Sequence, residues 1–390
     1  MSARRVVLAG GGTGGHVFPM IAVADALKAL DPALEVSFVG TARGLESRLV
    51  PERGYELRLV DILPFRGGGV LGAWRGVTRA MRATLAERRV LADLRPDVVF
   101  SIGGYAAGPV AAAARSLGIP VALMEPNSVI GLANRLIAPF VQRAYTAFAA
   151  SERHFPAGSV LRTGVPIRGG FERRPYRPSA VPTLLVLGGS QGAKSLNEAL
   201  PAAFSRLSVP VRVVHQCGAA HAAAVEALYA SLAPGLGARV IPFIEDMPAQ
   251  IAAADIVVSR SGASAVSEIC AVGRASLLVP YPYAAGDHQT QNAVALETAG
   301  AARRIDASDA TPERFRELLL ELLADPAGLE AMAQAAGNLG RPHAAREVAR
   351  DLLQLAGLPL VNGQTERPAS NGAGSSQPQG LTKFDAMEVR

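Results

Sequence analysis

The run VVLAGGGTGGHVFP, residues 6–19, has a counterpart in LLVLGGSQGAKSLN, residues 184–197. Each passes from an apolar strand through a tight glycine turn into a helix. Such a passage opens a doubly wound βαβ unit, with the bare N–H groups of the helix start facing outward. Two openings in one chain predict two halves of the same architecture. In the first half, β-rich runs at Arg5–Ala9, Val36–Val39, Leu57–Val60, Asp97–Ser101 and Val121–Leu123 alternate with Ala/Leu-rich helical stretches. In the second, strands recur at Val211–His215, Val240–Phe243, Ile256–Ser259 and Ser276–Val279. That alternation predicts an α/β chain with two parallel sheets, each covered on both faces.

The expected domains are residues 1–163 and 164–341, joined through the Pro/Arg-rich stretch RTGVPIRGGFERRPYRP at 162–178. A helix from Pro342 to Leu355, with proline at its first position, is expected to close the fold, so that 342–356 returns to the first domain. From Val361 onward Gly, Ser, Gln, Asn and Pro dominate, and the tail 361–390 is expected to be disordered.

The spacing of Gly10, Gly12 and Gly15 is the G-x-G-x-x-G of dinucleotide sites. An NAD site also needs an acid at the end of the second strand to bind the ribose hydroxyls. Here VSFVG runs into Thr41, Ala42 and Arg43, so the acid is missing. Arg43 leaves a 2′-phosphate cofactor open, and a plain strand–helix turn remains a third reading. The loop otherwise suits phosphate or a close-packed sugar. A net charge of +6 points the same way, to an acidic partner, while 5% aromatic residues argue against nucleic acid. Cys217 and Cys270 form no Cys-x-x-Cys pair and are expected as buried thiols. No signal peptide or membrane span is expected, which places the chain in the cytosol with at most peripheral membrane contact.

GGTGGHVFP, SIGGYAAGP, EPNSVIGLANR, LGGSQGAKSLN, SRSGASAVSEI and DHQTQNA stand in this order along the chain. In these six stretches, over roughly residues 4–356, the chain resembles the MurG-type transferases, which add N-acetylglucosamine to lipid I in peptidoglycan synthesis. The resemblance implies a GT-B fold of two Rossmann-like domains facing across a cleft. It implies UDP-N-acetylglucosamine as donor, the 4-hydroxyl of the muramyl sugar of lipid I as acceptor, inversion at the sugar, and no metal or other cofactor in the site.

Residue by residue, the resemblance assigns the donor to Thr13, Gly14, Gly15, Asn127, Arg168, Ser190, Gln191, Ile244, Ala263, Ser264, Ala265, Val266, Ser267, Glu268 and Gln289, and the acceptor to Gly104 and Tyr105. Glu268 would accept bonds from the ribose hydroxyls, and Ile244 would offer backbone groups to uracil. In the family a histidine usually precedes the Glu of Glu-x-Asn; this chain has Met124 there. His16 is the natural general base on its loop, since an imidazole titrates near operating pH, and Glu125 is its rival.

The acceptor carries a polyprenyl diphosphate, so the enzyme must reach a membrane. Arg66, Arg75, Arg79, Arg82, Arg88, Arg89 and Arg95 stand against only Glu87 and Asp93. Leu71, Trp74, Val77, Met81 and Leu85 share one helical face, flanked by Arg75, Arg79 and Arg82. This is the pattern of a basic interfacial helix on an anionic surface, here the cytoplasmic face of the inner membrane. Its bland counterpart is a helix whose apolar stripe packs on the protein's own core. Three other functions fit parts of the pattern: a diacylglycerol sugar transferase, a UDP-sugar epimerase, and a non-catalytic nucleotide-sugar binder.

Overall fold

The computed structural model describes residues 4–359 except 61–68, 105, 106, 190 and 234, and of 69–80 only the backbone. The first half holds strands β1 (Arg5–Gly10), β2 (Glu35–Gly40), β3 (Glu56–Leu59), β4 (Val98–Gly103), β5 (Val121–Glu125), β6 (Arg143–Thr146) and β7 (Val160–Leu161). They form one sheet in the order β3-β2-β1-β4-β5-β6-β7. The second sheet joins β8 (Thr183–Leu187), β9 (Arg212–Gln216), β10 (Arg239–Ile241), β11 (Ile256–Ser259), β12 (Ala275–Leu278) and β13 (Arg303–Arg304) in the order β10-β9-β8-β11-β12-β13. Every pairing is parallel.

In both sheets the strand order reverses beside the strand that carries a glycine loop, at β1/β4 and at β8/β11. Loops part in opposite directions there and leave a crevice at the strands' carboxyl ends. The central strands are buried beyond their first residues; Val6, Val7, Leu8, Val98, Val99 and Phe100 are fully inaccessible. Burial on both faces explains why they read as continuous apolar runs.

The first-half helices are α1 (Gly14–Leu30), α2 (Glu46–Glu52), α3 (Gly69–Leu94), α4 (Ala107–Ser116), α5 (Leu132–Ile137) and α6 (Ala149–Glu152). The second half contributes α7 (Lys194–Phe204), α8 (Ala222–Leu232), α9 (Met247–Ala253), α10 (Ala263–Val272), α11 (His288–Thr298), α12 (Pro312–Leu323), α13 (Pro326–Leu339) and α14 (Ala344–Leu355). Helix α14 packs Val348, Ala349, Leu352 and Leu353 into the same cluster as Val17, Met20 and Ile21 of α1. Asp351 on α14 also accepts bonds from Arg143 Nε at 2.8 Å and the Tyr145 hydroxyl at 2.7 Å, both on β6.

Three strands were not anticipated. β6 reads RAYT, β7 is two residues and β13 is two arginines, so none carries an apolar run. The last helix starts later than expected: His343 caps α14, and Pro342 lies before it rather than at its first position. The tail 361–390 lies outside the described residues. Cys217 and Cys270 are both buried free thiols.

Candidate functional site

The first glycine loop leaves β1 and enters α1 at Gly14. Thr13 caps that helix through its backbone: its carbonyl accepts from His16 N–H at 3.0 Å and Val17 N–H at 3.1 Å. Its hydroxyl makes no cap bond and the residue is exposed. As at any helix start, the first N–H groups, at Gly14 and Gly15, lack intrahelical acceptors. Gly104 closes against this loop at φ +88, and a Cβ there would stand 2.6 Å from the Gly11 carbonyl oxygen, so no other residue fits. Tyr105 lies outside the described residues.

His16 Nδ1 lies 3.1 Å from the Gly11 carbonyl oxygen. A carbonyl can only accept, so Nδ1 carries the proton and Nε2 keeps its lone pair. Burial lowers the imidazole's pKa, opposed by the Gly11 bond; His288 lowers it further and Glu46 raises it. The ring is therefore neutral at neutral pH, the form a general base needs. His288 opens α11 on the other half, and its Nδ1 lies 2.8 Å from the Ala285 carbonyl oxygen.

Glu125, the rival base, is 1% exposed and committed. It accepts from Asn127 N–H at 3.0 Å, Gly131 N–H at 3.1 Å and Asn134 Nδ2 at 2.9 Å, with Asn127 Nδ2 at 3.4 Å. Burial raises its pKa against the pull of those donors. Its geometry is that of a brace for the loop 126–131.

In the second half, the loop after β11 turns into α10 at Gly262. Ala263 and Val266 bury their side chains, and Val266 N–H is already bonded to the Gly262 carbonyl, which gives Val266 to the core. Ser264, Ala265 and Ser267 are half-buried, and the Ser264 hydroxyl has no hydrogen-bond partner among the described residues. Glu268 follows on the same helix, with Arg168 Nε 4.0 Å from its carboxylate. Burial pushes the Glu268 carboxyl up to about 7, and Arg168 pulls it back only in part. Gln289 Oε1 accepts from Tyr281 N–H at 3.0 Å, and its amide nitrogen lies beside Gly262. Ile244 is 4% exposed and packs with Ile167, Phe171 and Ile251, so only its backbone can face a ligand. Gln191 is exposed at the tip of the second glycine loop, and Ser190 lies outside the described residues.

Three residues escaped sequence reasoning. Gln216 fixes the second glycine loop by accepting from Gly189 N–H at 2.9 Å and donating to the Gly189 carbonyl at 2.8 Å. Arg260 donates to the Val279, Pro280 and Ser195 oxygens and lies over the Tyr281 ring, bracing the floor of the loop. Asn292 is fully buried and joins the two halves. Its Oδ1 accepts from Ser128 N–H and hydroxyl at 2.9 and 2.8 Å; its Nδ2 donates to Asn127 Oδ1 at 3.2 Å and the Ser261 carbonyl at 3.1 Å. Asn127 thus stands at the seam, beside α10 and α11.

On α3, Met81 is 62% and Leu85 58% exposed, and Arg82 is exposed. Glu87 and Leu91 take the inward face. The side chains of Leu71, Trp74, Arg75, Val77 and Arg79 lie outside the described residues. No helix among the described residues is long and apolar enough to cross a membrane.

Residues 6–146 match the glycosyltransferase family 28 N-terminal domain, and residues 183–350 match its C-terminal domain. A Sorangium cellulosum protein is 51% identical over 91% of this chain and 89% of its own length; its name is UDP-N-acetylglucosamine--N-acetylmuramyl-(pentapeptide) pyrophosphoryl-undecaprenol N-acetylglucosamine transferase. A protein of the same name from Anaeromyxobacter dehalogenans is 42% identical over 96% of this chain and 99% of its own. Among solved structures, Acinetobacter baumannii MurG superimposes with a TM-score of 0.77 at 35% identity, over 90% of this chain and 99% of its own.

Proposed function

The chain belongs to glycosyltransferase family 28, and from that premise we propose how its geometry performs the reaction its relatives are named for. It is an N-acetylglucosaminyltransferase of peptidoglycan precursor synthesis, with a GT-B fold, and moves N-acetylglucosamine from UDP-N-acetylglucosamine to lipid I to give lipid II. The observation that carries the finer reading is the locked tautomer of His16, which holds a neutral imidazole in the first turn of α1, with no partner for Nε2 among the described residues.

In this reading His16 takes the proton from the 4-hydroxyl of the muramyl sugar as that oxygen attacks the donor's anomeric carbon, which inverts. The departing UDP lies along α10. Its diphosphate meets the helix N-terminus at Gly262–Ser264, where the dipole and bare N–H groups take up the developing charge. The unpartnered Ser264 hydroxyl and Arg168 supply further donors. Glu268 accepts from the ribose hydroxyls, the Ile244 backbone faces uracil, and Gln289 with Asn127 holds the sugar. Thr13, Gly14 and Gly15 stand at the junction of donor and acceptor, and Gly104 lines the acceptor side. Glu125 braces its loop and takes no proton.

Donor binding is tested by thermal stability. A ligand that binds only the folded chain stabilises it by about 2.7 kcal/mol at a hundredfold excess over Kd. UDP-N-acetylglucosamine raises the melting temperature accordingly and NADPH leaves it unchanged. A larger shift with NADPH would overturn the donor assignment and restore the cofactor reading of the glycine loop.

The same proposal seats α3 on the cytoplasmic face of the membrane. Exposed Met81 and Leu85 favour docking, because a stripe packed on its own core would be buried. Leu132, Leu136 and Phe140, exposed around α5, add apolar surface on the same half, with Arg135 among them. Each arginine near an anionic surface contributes about 1 kcal/mol, screened over about 10 Å at 0.1 M salt. Replacing Arg75, Arg79 and Arg82 together by glutamine releases the protein from phosphatidylglycerol vesicles at moderate salt, while transfer to a short-chain soluble acceptor continues. Undiminished sedimentation with such vesicles would contradict the docking.

A further inference from the structure

Beneath the first glycine loop lies a carboxylate that the reaction described above leaves unused. Glu46 opens α2 and is 1% exposed. Its Oε2 accepts from Gly12 N–H at 2.7 Å. Its Oε1 accepts from Thr41 N–H at 2.9 Å and from the Thr41 hydroxyl at 3.0 Å. Among the described residues no arginine or lysine pairs with it. The fold makes room for it three times over: a Cβ on Gly11, Gly40 or Gly44 would collide with the Glu46 side chain. A buried carboxyl group is tolerated only where donors satisfy it, and here the donors are the backbone of the glycine loop and of the turn after β2.

The peptide that Glu46 grips is the one that holds His16. The Gly11 carbonyl, which meets His16 Nδ1, belongs to the peptide whose N–H, at Gly12, donates to Glu46. Leu45 N–H, beside Glu46, also reaches the Gly12 carbonyl at 3.3 Å. Carboxylate, peptide and imidazole therefore form one chain, with a backbone amide between acid and ring where a direct carboxylate–histidine pair would have none. We propose that Glu46 is the positioning residue of this transferase: it pins the Gly11–Gly12 peptide, and through it the orientation and tautomer of His16. The proposal rests on His16 as the base.

Glu46→Gln keeps the side chain's size but sets an NH₂ donor against one of the N–H groups. The expected result is a fall in kcat of about 10- to 30-fold, the scale for losing a group that orients a reacting one. UDP affinity stays at the wild-type value, because the nucleotide sits on the other half. The acid limb of the kcat/KM profile moves to lower pH. Glu46 from α2 and His288 from α11 are the titratable groups that act on the imidazole, and Glu46 is the one that raises its pKa. A purely structural role would not move that limb.

In a His16→Ala background, Glu46→Gln costs no further rate; independent, multiplicative losses would overturn the proposal. So would a folded Glu46→Gln enzyme with wild-type kcat and an unmoved pH profile beside a slow His16→Ala. If His16→Ala itself turns over at the wild-type rate, the base assignment fails and the proposal falls with it. Should Glu46→Gln not fold, Thr41→Val removes one of the three donors and decides the matter. A lowered kcat at unchanged UDP affinity supports the pin, and an unchanged kcat refutes it.

Discussion

Replacing His16 by alanine lowers kcat by about 10²- to 10⁴-fold, the span carried by a positioned general base, and leaves UDP affinity at the wild-type value. The separation follows from where the groups stand. His16 belongs to the first turn of α1, whereas Arg168 and Glu268, the nucleotide's proposed charged partners, meet each other on the opposite wall. The imidazole is held by Gly11, Nε2 has no partner among the described residues, and burial favours the neutral ring. Protonating Nε2 abolishes the base, so the wild-type rate falls on the acid side. Because burial depresses this pKa, the fall comes at a lower pH than for an exposed histidine. Steady-state rates across acidic and neutral pH check both statements. A loss below about tenfold in His16→Ala would remove His16 from the base role, since a true base is worth at least 10².

Glu268→Ala weakens UDP binding by about 1.5–3 kcal/mol, the scale of hydrogen bonds to a charged group, or about 10- to 150-fold in Kd. Glu268 stands on α10 past the turn that would cradle the diphosphate, and Arg168 approaches it from the join between the halves. With its carboxyl pushed up to about 7 by burial, the free protein holds a growing fraction in the protonated form as pH drops below that value. Binding that requires the carboxylate must then remove a proton, so UDP affinity declines toward acidic pH. Glu268→Gln removes that pH dependence. Calorimetry on the three proteins gives the answer, and an unchanged Kd in Glu268→Ala would place Glu268 outside the site.

Local sequence points to those parts of the proposed site that lie within one strand–turn–helix passage. His16 is proposed from the sequence because strand, glycine turn and helix start occupy one short stretch, and Glu268 because SRSGASAVSE does the same. The doubly wound fold was legible for a related reason: central strands buried on both faces show as unbroken apolar runs. The strands β6, β7 and β13 were not, since RAYT, VL and RR have neither run nor alternation and owe their conformation to a neighbour already in place.

Long-range polar partners were hidden for the same reason. Glu46 is one acid among many in the sequence. Only folding sets it under Gly12, 34 positions away, and sets Asn292 against Ser128, 164 positions away. Glu125 shows the opposite case. An acid at the end of a strand reads as chemistry, yet the donors around it come from Asn127, Gly131 and Asn134 and engage both oxygens.

In the proposed mechanism one half binds the nucleotide and the other supplies the base for transfer to lipid I. The most direct test is the conversion of lipid I to lipid II with radiolabelled UDP-N-acetylglucosamine, with kcat, KM and UDP affinity measured on wild type, His16→Ala and Glu268→Ala. Wild type is expected to form lipid II with one UDP released per sugar transferred. His16→Ala loses kcat at unchanged UDP affinity, and Glu268→Ala loses UDP affinity. Donor consumed without labelled lipid product, or a His16→Ala enzyme that loses UDP affinity and keeps kcat, would contradict it.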